Sequence, residues 1–286
     1  MLGWWLLVAL MGLPACQPPD VAPRRTTVVR IAGSSAMQLV LYELTAAFTH
    51  QHPSVLFEVA GGGSTTGEER VLASQVDLAA STLISSTVPT TARRTPIGLD
   101  GLAIVVHATN PITTITMPQL QALYNGRSFH WEEVGSSAGE VLLISREDGS
   151  GSRQLFEARV MGEEQVALTA VVMPTSGDVV DYVAKHPNAI GYVSRAYVLA
   201  VIDQTPSPAT GAATPDAASD PLGVKVLALD GQLPTAQAIQ TQSYPLIQPL
   251  YLVSRTRPTG WLQQWIDFTL SPAGQAIVAR YHGRVR

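Results

Sequence analysis

The chain has 286 residues, enough for one large domain or for two lobes with cores of their own. Charged residues make up 14% and the formal net charge is −4, so no basic surface points to nucleic acid. Cys16 is the sole cysteine, which excludes an internal disulfide framework.

Residues 1–15 are apolar but short for a membrane span. They end in Leu13-Pro14-Ala15-Cys16, which resembles a lipobox, so residues 1–16 read as a lipoprotein signal peptide with Cys16 as the acyl acceptor. No Lys or Arg precedes the apolar run and Pro14 is unusual in such a box; the alternative for Cys16 is an incidental thiol. Pro18, Pro19 and Pro23 suggest that 17–26 is an extended tether.

From about residue 27 the pattern predicts strands over 28–32, 56–60 and 76–80, with an amphipathic helix over 36–49. That β-α-β-α-β alternation implies a mainly parallel sheet. The apolar run 101–107 carries the chain towards a second lobe. There the spacing predicts helices over 117–124, 152–161 and 179–185 and strands over 141–144 and 190–193. The return falls near 244–252, and a helical stretch over 260–281, broken near Ser271-Pro272, packs back on lobe one. Lobe one thus comprises 27–106 and 247–286, and lobe two 107–246. Residues 203–223 are rich in Pro, Ala, Thr and Ser and read as a flexible loop.

Three turns repeat one arrangement of strand, small hydroxyl-rich turn and helix start: Gly33-Ser34-Ser35, Gly63-Ser64-Thr65, and Arg146-Glu147-Asp148-Gly149-Ser150-Gly151-Ser152. A helix start presents unpaired N–H groups at the positive end of its dipole, which suits an anion. Arg146 adds a charged fork that matches a tetrahedral oxyanion, and Asp148 is close enough in sequence to orient it. Parallel α/β sheets bind ligands at the carboxyl ends of their strands, where such turns lie.

These motifs resemble, in order along nearly the whole mature length, the PstS-like substrate-binding proteins of phosphate ABC transporters, a branch of the periplasmic binding protein superfamily. Asp100-Gly101-Leu102-Ala103, Leu123-Tyr124-Asn125-Gly126, Ala189-Ile190-Gly191-Tyr192 and Ser271-Pro272-Ala273-Gly274-Gln275 extend the match. The resemblance implies an α/β, two-lobed, type II-like binding-protein fold, with a ligand cleft between the lobes and a hinge of two crossings. It implies inorganic phosphate as ligand, ABC transporter permease subunits as partners, an extracytoplasmic monomer held at the membrane surface through lipidated Cys16, no cofactor and no catalysis. The ligand-binding residues it points to are Ser34, Ser35, Ser64, Thr65, Thr82, Arg146, Asp148, Ser150, Gly151 and Ser152. After Ser81 some members carry an aspartate that accepts the phosphate proton and many others carry serine and arginine, where this chain has Thr82-Leu83. A threonine oxygen still accepts a hydrogen bond, so phosphate remains open, as do sulfate, molybdate and tungstate, or an anion-sensing role without transport.

Competing motifs fail. Gly62 to Glu69 has P-loop spacing, but Glu68 stands where the phosphate-binding lysine is required. No G-x-S-x-G elbow surrounds Ser150 or Ser34. His50 and His52 lack neighbouring ligands in sequence and read as a helix end before Pro53. The adjacent pair Glu68-Glu69 reads as a solvated face.

Overall fold

The structure, a computed structural model, describes residues 26–83, 88–135, 139–204 and 222–285. The apolar leader, Cys16 and nearly all of the tether lie outside these residues, as does most of the 203–223 loop. Among the described residues, no helix is long and apolar enough to cross a membrane.

Eleven strands are seen among the described residues: β1 (Thr27–Gly33), β2 (Val55–Ala60), β3 (Leu78–Ser81), β4 (Arg93–His107), β5 (Thr114–Ile115), β6 (Leu142–Arg146), β7 (Val171–Met173), β8 (Ala189–Ser194), β9 (Val224–Leu229), β10 (Ile247–Ser254) and β11 (Gly283–Arg284). They join in the order β2-β1-β3-β10-β4-β8-β6-β7, with β9 and β11 also on β4 and β5 on β9. Pairing is parallel on the flanks, β2-β1-β3 and β8-β6-β7. It is antiparallel wherever β10 or β4 takes part. The mainly parallel sheet expected from alternation therefore holds only away from the crossing strands.

The fold has two lobes, each built on one flank. In the first, the helix Gln38–Gln51 buries Val40, Leu41, Leu44 and Phe48, one face at helical spacing. That face packs with Ile31, Leu78, Leu252 and Trp265. Each such fully buried side chain contributes roughly 1.5–3 kcal/mol. The helix stops at His52, since the residue before Pro53 is driven out of the helical region. The C-terminal stretch is two helices, Gly260–Leu270 and Pro272–Tyr281, separated by Ser271, whose hydroxyl caps the second by accepting from Gly274 N–H.

β4 does the work of joining the lobes. Its apolar run 102–106 alternates sides with period two: Leu102, Ile104 and Val106 enter one second-lobe core, and Ala103 and Val105 the other. These residues, assigned to lobe one from sequence, contribute their side chains to the second lobe, and Ile97 is the β4 side chain in the first-lobe core. β10 runs back beside β4, and Leu102 N–H donates to Leu246 O at 2.9 Å where both strands pass between lobes.

Candidate anion-binding cleft

β6 ends in Arg146, and the chain turns through Glu147 to Gly149 into the helix Gly151–Phe156. Ser150 caps this helix, its Oγ accepting from Arg153 N–H at 3.3 Å. Arg153 fastens the turn further, donating from Nη1 to Arg146 O at 3.0 Å and pairing with Asp148 and Glu157. The turn is thus held from its own helix, leaving the Gly151 and Ser152 end facing the other lobe.

Arg146 is only 1% exposed, so its charge needs fixed partners. Glu147 supplies them: its two oxygens accept from Nη2 and Nε, each at 3.0 Å. Met173 O and Pro174 O accept from the same edge at 3.1 Å. Asp148, expected to orient Arg146, instead lies 93% exposed and bound to Arg153. The turn swings Asp148 outwards and folds Glu147 back along the guanidinium. Burial pushes the Glu147 carboxyl up from its ordinary value, and the Arg146 charge opposes that rise.

Ser34 and Ser35 lie at the end of β1, before a short 3-10 turn that leads into the first long helix. Ser34 N–H donates to Ala80 O at 2.8 Å. Ser35 reaches across the cleft, its Oγ accepting from Arg146 Nη2 and from Ser176 N–H, both at 3.2 Å. Tyr197 OH donates to Ser35 O at 2.8 Å, a second tie across the cleft.

Ser64 opens the helix Ser64–Leu72 after Gly63, whose φ of 83° lies in the left-handed region. A side chain on Gly63 would also meet Gly149 O at 2.7 Å. Ser64 is buried beside Thr82: Thr82 N–H donates to Ser64 Oγ at 3.1 Å, and the two hydroxyls lie 3.3 Å apart. Opposite them stands Gly151, where a Cβ would come within 2.1 Å of Thr82 Oγ1 and 2.9 Å of Ser64 Oγ. Thr65 sits at the half-buried rim: its N–H donates to Gly149 O at 3.1 Å and its hydroxyl accepts from Gln154 at 3.4 Å. Its polar groups therefore serve lobe-to-lobe contact.

The cleft thus gathers Ser34, Ser35, Ser64, Thr82, Arg146, Ser150, Gly151 and Ser152, with Thr65 at the edge and Asp148 outside. Sequence reading missed Ser176, which opens the helix Ser176–Val183 and accepts from Arg146 Nη1 at 3.2 Å. The signal was present in Thr175-Ser176-Gly177-Asp178, where the Thr175 side chain accepts from Asp178 N–H as a helix cap. Glu68 is also not on a solvated face. It is buried under the cleft, accepting from Ser81 Oγ at 2.5 Å with Arg94 at 3.7 Å, while Glu69 is exposed.

What decides the family is the extent of a match that runs through all these turns: a family model described as a PBP superfamily domain covers residues 20–273. The chain belongs to the PBP superfamily. Within that superfamily it is a PstS-like chain. It is 25% identical over 267 residues to the phosphate-binding protein PstS of Bacillus subtilis, covering 89% of this chain and 79% of that one. It is 23% identical over 261 residues to PstS of Borreliella burgdorferi, covering 88% and 87%. A Clostridium perfringens protein solved with bound phosphate, and described as a candidate substrate-binding protein of a phosphate ABC transporter, superposes with a TM-score of 0.79 at 26% identity, covering 91% of this chain and all of that one.

Proposed function

We propose that the chain is an extracytoplasmic solute-binding protein that captures inorganic phosphate in this cleft and delivers it to an ABC transporter permease. One observation carries the reading: three helix starts, at Ser64, Gly151 and Ser176, and the buried Arg146 meet between the lobes. Such a space is matched to an oxyanion by charge and donors. The PstS relatives and the phosphate-bound neighbour support phosphate as that anion. Lobes of 27–101 with 247–285 and of 102–246 open and close about β4 and β10. Closure excludes water, which strengthens each fixed donor.

In this reading the protein is a monomer tethered through lipidated Cys16, and binding and release are its whole chemistry. Arg146 supplies the charge through Nη1, whose one partner among the described residues is the Ser176 hydroxyl, while Glu147 holds the opposite edge of the fork. Ser150, Gly151, Ser152 and Ser64 supply donors, and Ser35 ties the lobes together.

A second reading, another tetrahedral oxyanion such as sulfate, molybdate or tungstate, is favoured by Thr82. Both Glu147 oxygens face Arg146, so the hydroxyls of Thr82 and Ser64 are left to accept the proton that phosphate carries. The test is calorimetric titration of the form that begins after Cys16, stripped of bound anion, with phosphate and sulfate. Phosphate binding with sulfate silent upholds the first reading, and equal binding upholds the second. Arg146→Ala should lose on the order of 2–5 kcal/mol of binding free energy. Unchanged phosphate affinity in that variant would remove Arg146 from the site.

A further inference from the structure

Behind Ser152 runs a chain of buried polar groups that the cleft itself does not require. Gln248, on β10, donates from Nε2 both to Ser152 Oγ at 3.2 Å and to Asp100 Oδ2 at 2.9 Å. Asp100, on β4, receives His282 Nδ1 on its other oxygen at 3.1 Å. Gln248, Asp100 and His282 are at most 1% exposed. The three come from the two crossing strands and the residue just before β11, so the chain spans the hinge.

The orientation of the Gln248 amide is set by chemistry. Turned over, its carbonyl oxygen would face the Asp100 carboxylate at the 2.9 Å now bridged by a proton, two acceptors with nothing between them. Kept as it is, its Oε1 has no partner among the described residues, a loss accepted to keep both N–H bonds. Other ionisable groups around Asp100 are Arg195, which donates to Pro234 O and Tyr281 O, Tyr244, which donates to Leu102 O, and Tyr197, which donates to Ser35 O. None of these bonds replaces Gln248 on the carboxylate.

We infer that Gln248, Asp100 and His282 are positioning residues that lock the Ser152 hydroxyl as an obligate donor to the bound anion. A hydroxyl whose oxygen receives a fixed N–H directs its own proton away from that donor, and since Ser152 Oγ has no other hydrogen-bond partner among the described residues, the cleft is left as the place for that proton. With its proton aimed at the anion, Ser152 meets it as a donor rather than as an acceptor, and the site favours the more fully ionised species. Thr82 Oγ1 receives no N–H among the described residues and keeps the freedom that Ser152 lacks, whereas Ser64 Oγ already accepts from Thr82 N–H. The inference rests on the phosphate reading for its ligand but not for its geometry.

The test compares phosphate affinity on the acid and alkaline sides of the anion's own second ionisation, in the wild-type chain and in Gln248→Leu and Asp100→Asn. Wild type should favour the alkaline side. Gln248→Leu frees Ser152 to rotate and accept, so the preference should shrink by about tenfold, with Asp100→Asn moving the same way to a smaller extent. An unaltered preference in a folded Gln248→Leu chain overturns the inference, because loss of packing alone would weaken both species equally. Neutron diffraction of wild-type crystals grown with phosphate gives an independent answer if the variants do not fold. A Ser152 proton pointing at the anion supports the lock, and one pointing at Gln248 overturns it. Wild-type protein that binds no phosphate at any pH would sink the phosphate reading, while crystals grown with whichever anion binds would still decide the lock by the position of that proton.

Discussion

At the scale of single residues the cleft is organised by close approach as much as by charge. Gly151 faces Thr82 and Ser64 so closely that any Cβ there would overlap them. Gly151→Ala should therefore hold the lobes apart, costing about 1–3 kcal/mol of closure, roughly tenfold to a hundredfold in anion affinity, with little change in unfolding of the uncomplexed chain. Calorimetry beside thermal melting would separate the two, and a variant that binds as tightly as wild type would show that the cleft does not close this far. The hydroxyl-rich turns and Arg146 were legible because helix starts and their caps are local features. The partner of Arg146 was not. Glu147 and Asp148 are adjacent carboxylates in one turn, and which of them curls back depends on Arg153, seven residues past Arg146, drawing Asp148 outwards. Glu68 was misread for the same kind of reason: its burial is created by Ser81 and Arg94, both distant in sequence.

The elements that carry these turns were legible where their periodicity is uninterrupted. The strands around 28–32, 56–60 and 190–193, and the helix Met117–Tyr124, follow their apolar spacing to within a residue or two. β9 was missed because it directly follows the Pro- and Ala-rich stretch, and the full reach of β4 was hidden because its first four residues, Arg93 to Pro96, lack large apolar side chains and are at least partly exposed. Support for the site strand comes from an element no motif singles out for function. Tyr124, at the end of its helix, donates its buried hydroxyl to Ile144 O on β6 at 2.9 Å and to Ile190 O on β8 at 3.2 Å. Its ring packs against Phe156 and Tyr192. Tyr124→Phe keeps that packing but strips both carbonyls of their donor, so it should destabilise the fold by about 1–3 kcal/mol. Chemical denaturation would measure this, and phosphate affinity under native conditions should stay close to wild type. A neutral effect on stability would mean that the β6 and β8 backbone finds other partners.

Taken whole, the proposed anion site lies in a molecule with a net charge of −4, which fixed local donors and exclusion of water on closure would allow. The same burial sets how the protein should respond to alkali. Desolvation pushes Tyr192 and Tyr197 each up to about 12, and drives Tyr124 and Tyr244 up as well. In the unfolded chain a tyrosine ionises near pH ~10. The folded state therefore holds these protons more tightly than the unfolded one. The stability linked to them is complete below pH ~10 and is lost as pH rises towards about 12. Tyr197 makes this a matter of function too, since its hydroxyl donates to Ser35 O across the cleft, and a phenolate there would have no proton to give. Denaturation midpoints should fall steadily above pH ~10, and the phenolate absorbance of the buried set should develop only with unfolding. Tyr197→Phe should weaken closure at neutral pH while removing one contribution to the alkaline slope. Phenolate absorbance that develops fully near pH ~10 with no loss of structure would show that these hydroxyls are reached by solvent, and that the cleft and the core beneath it are less tightly sealed than their geometry requires.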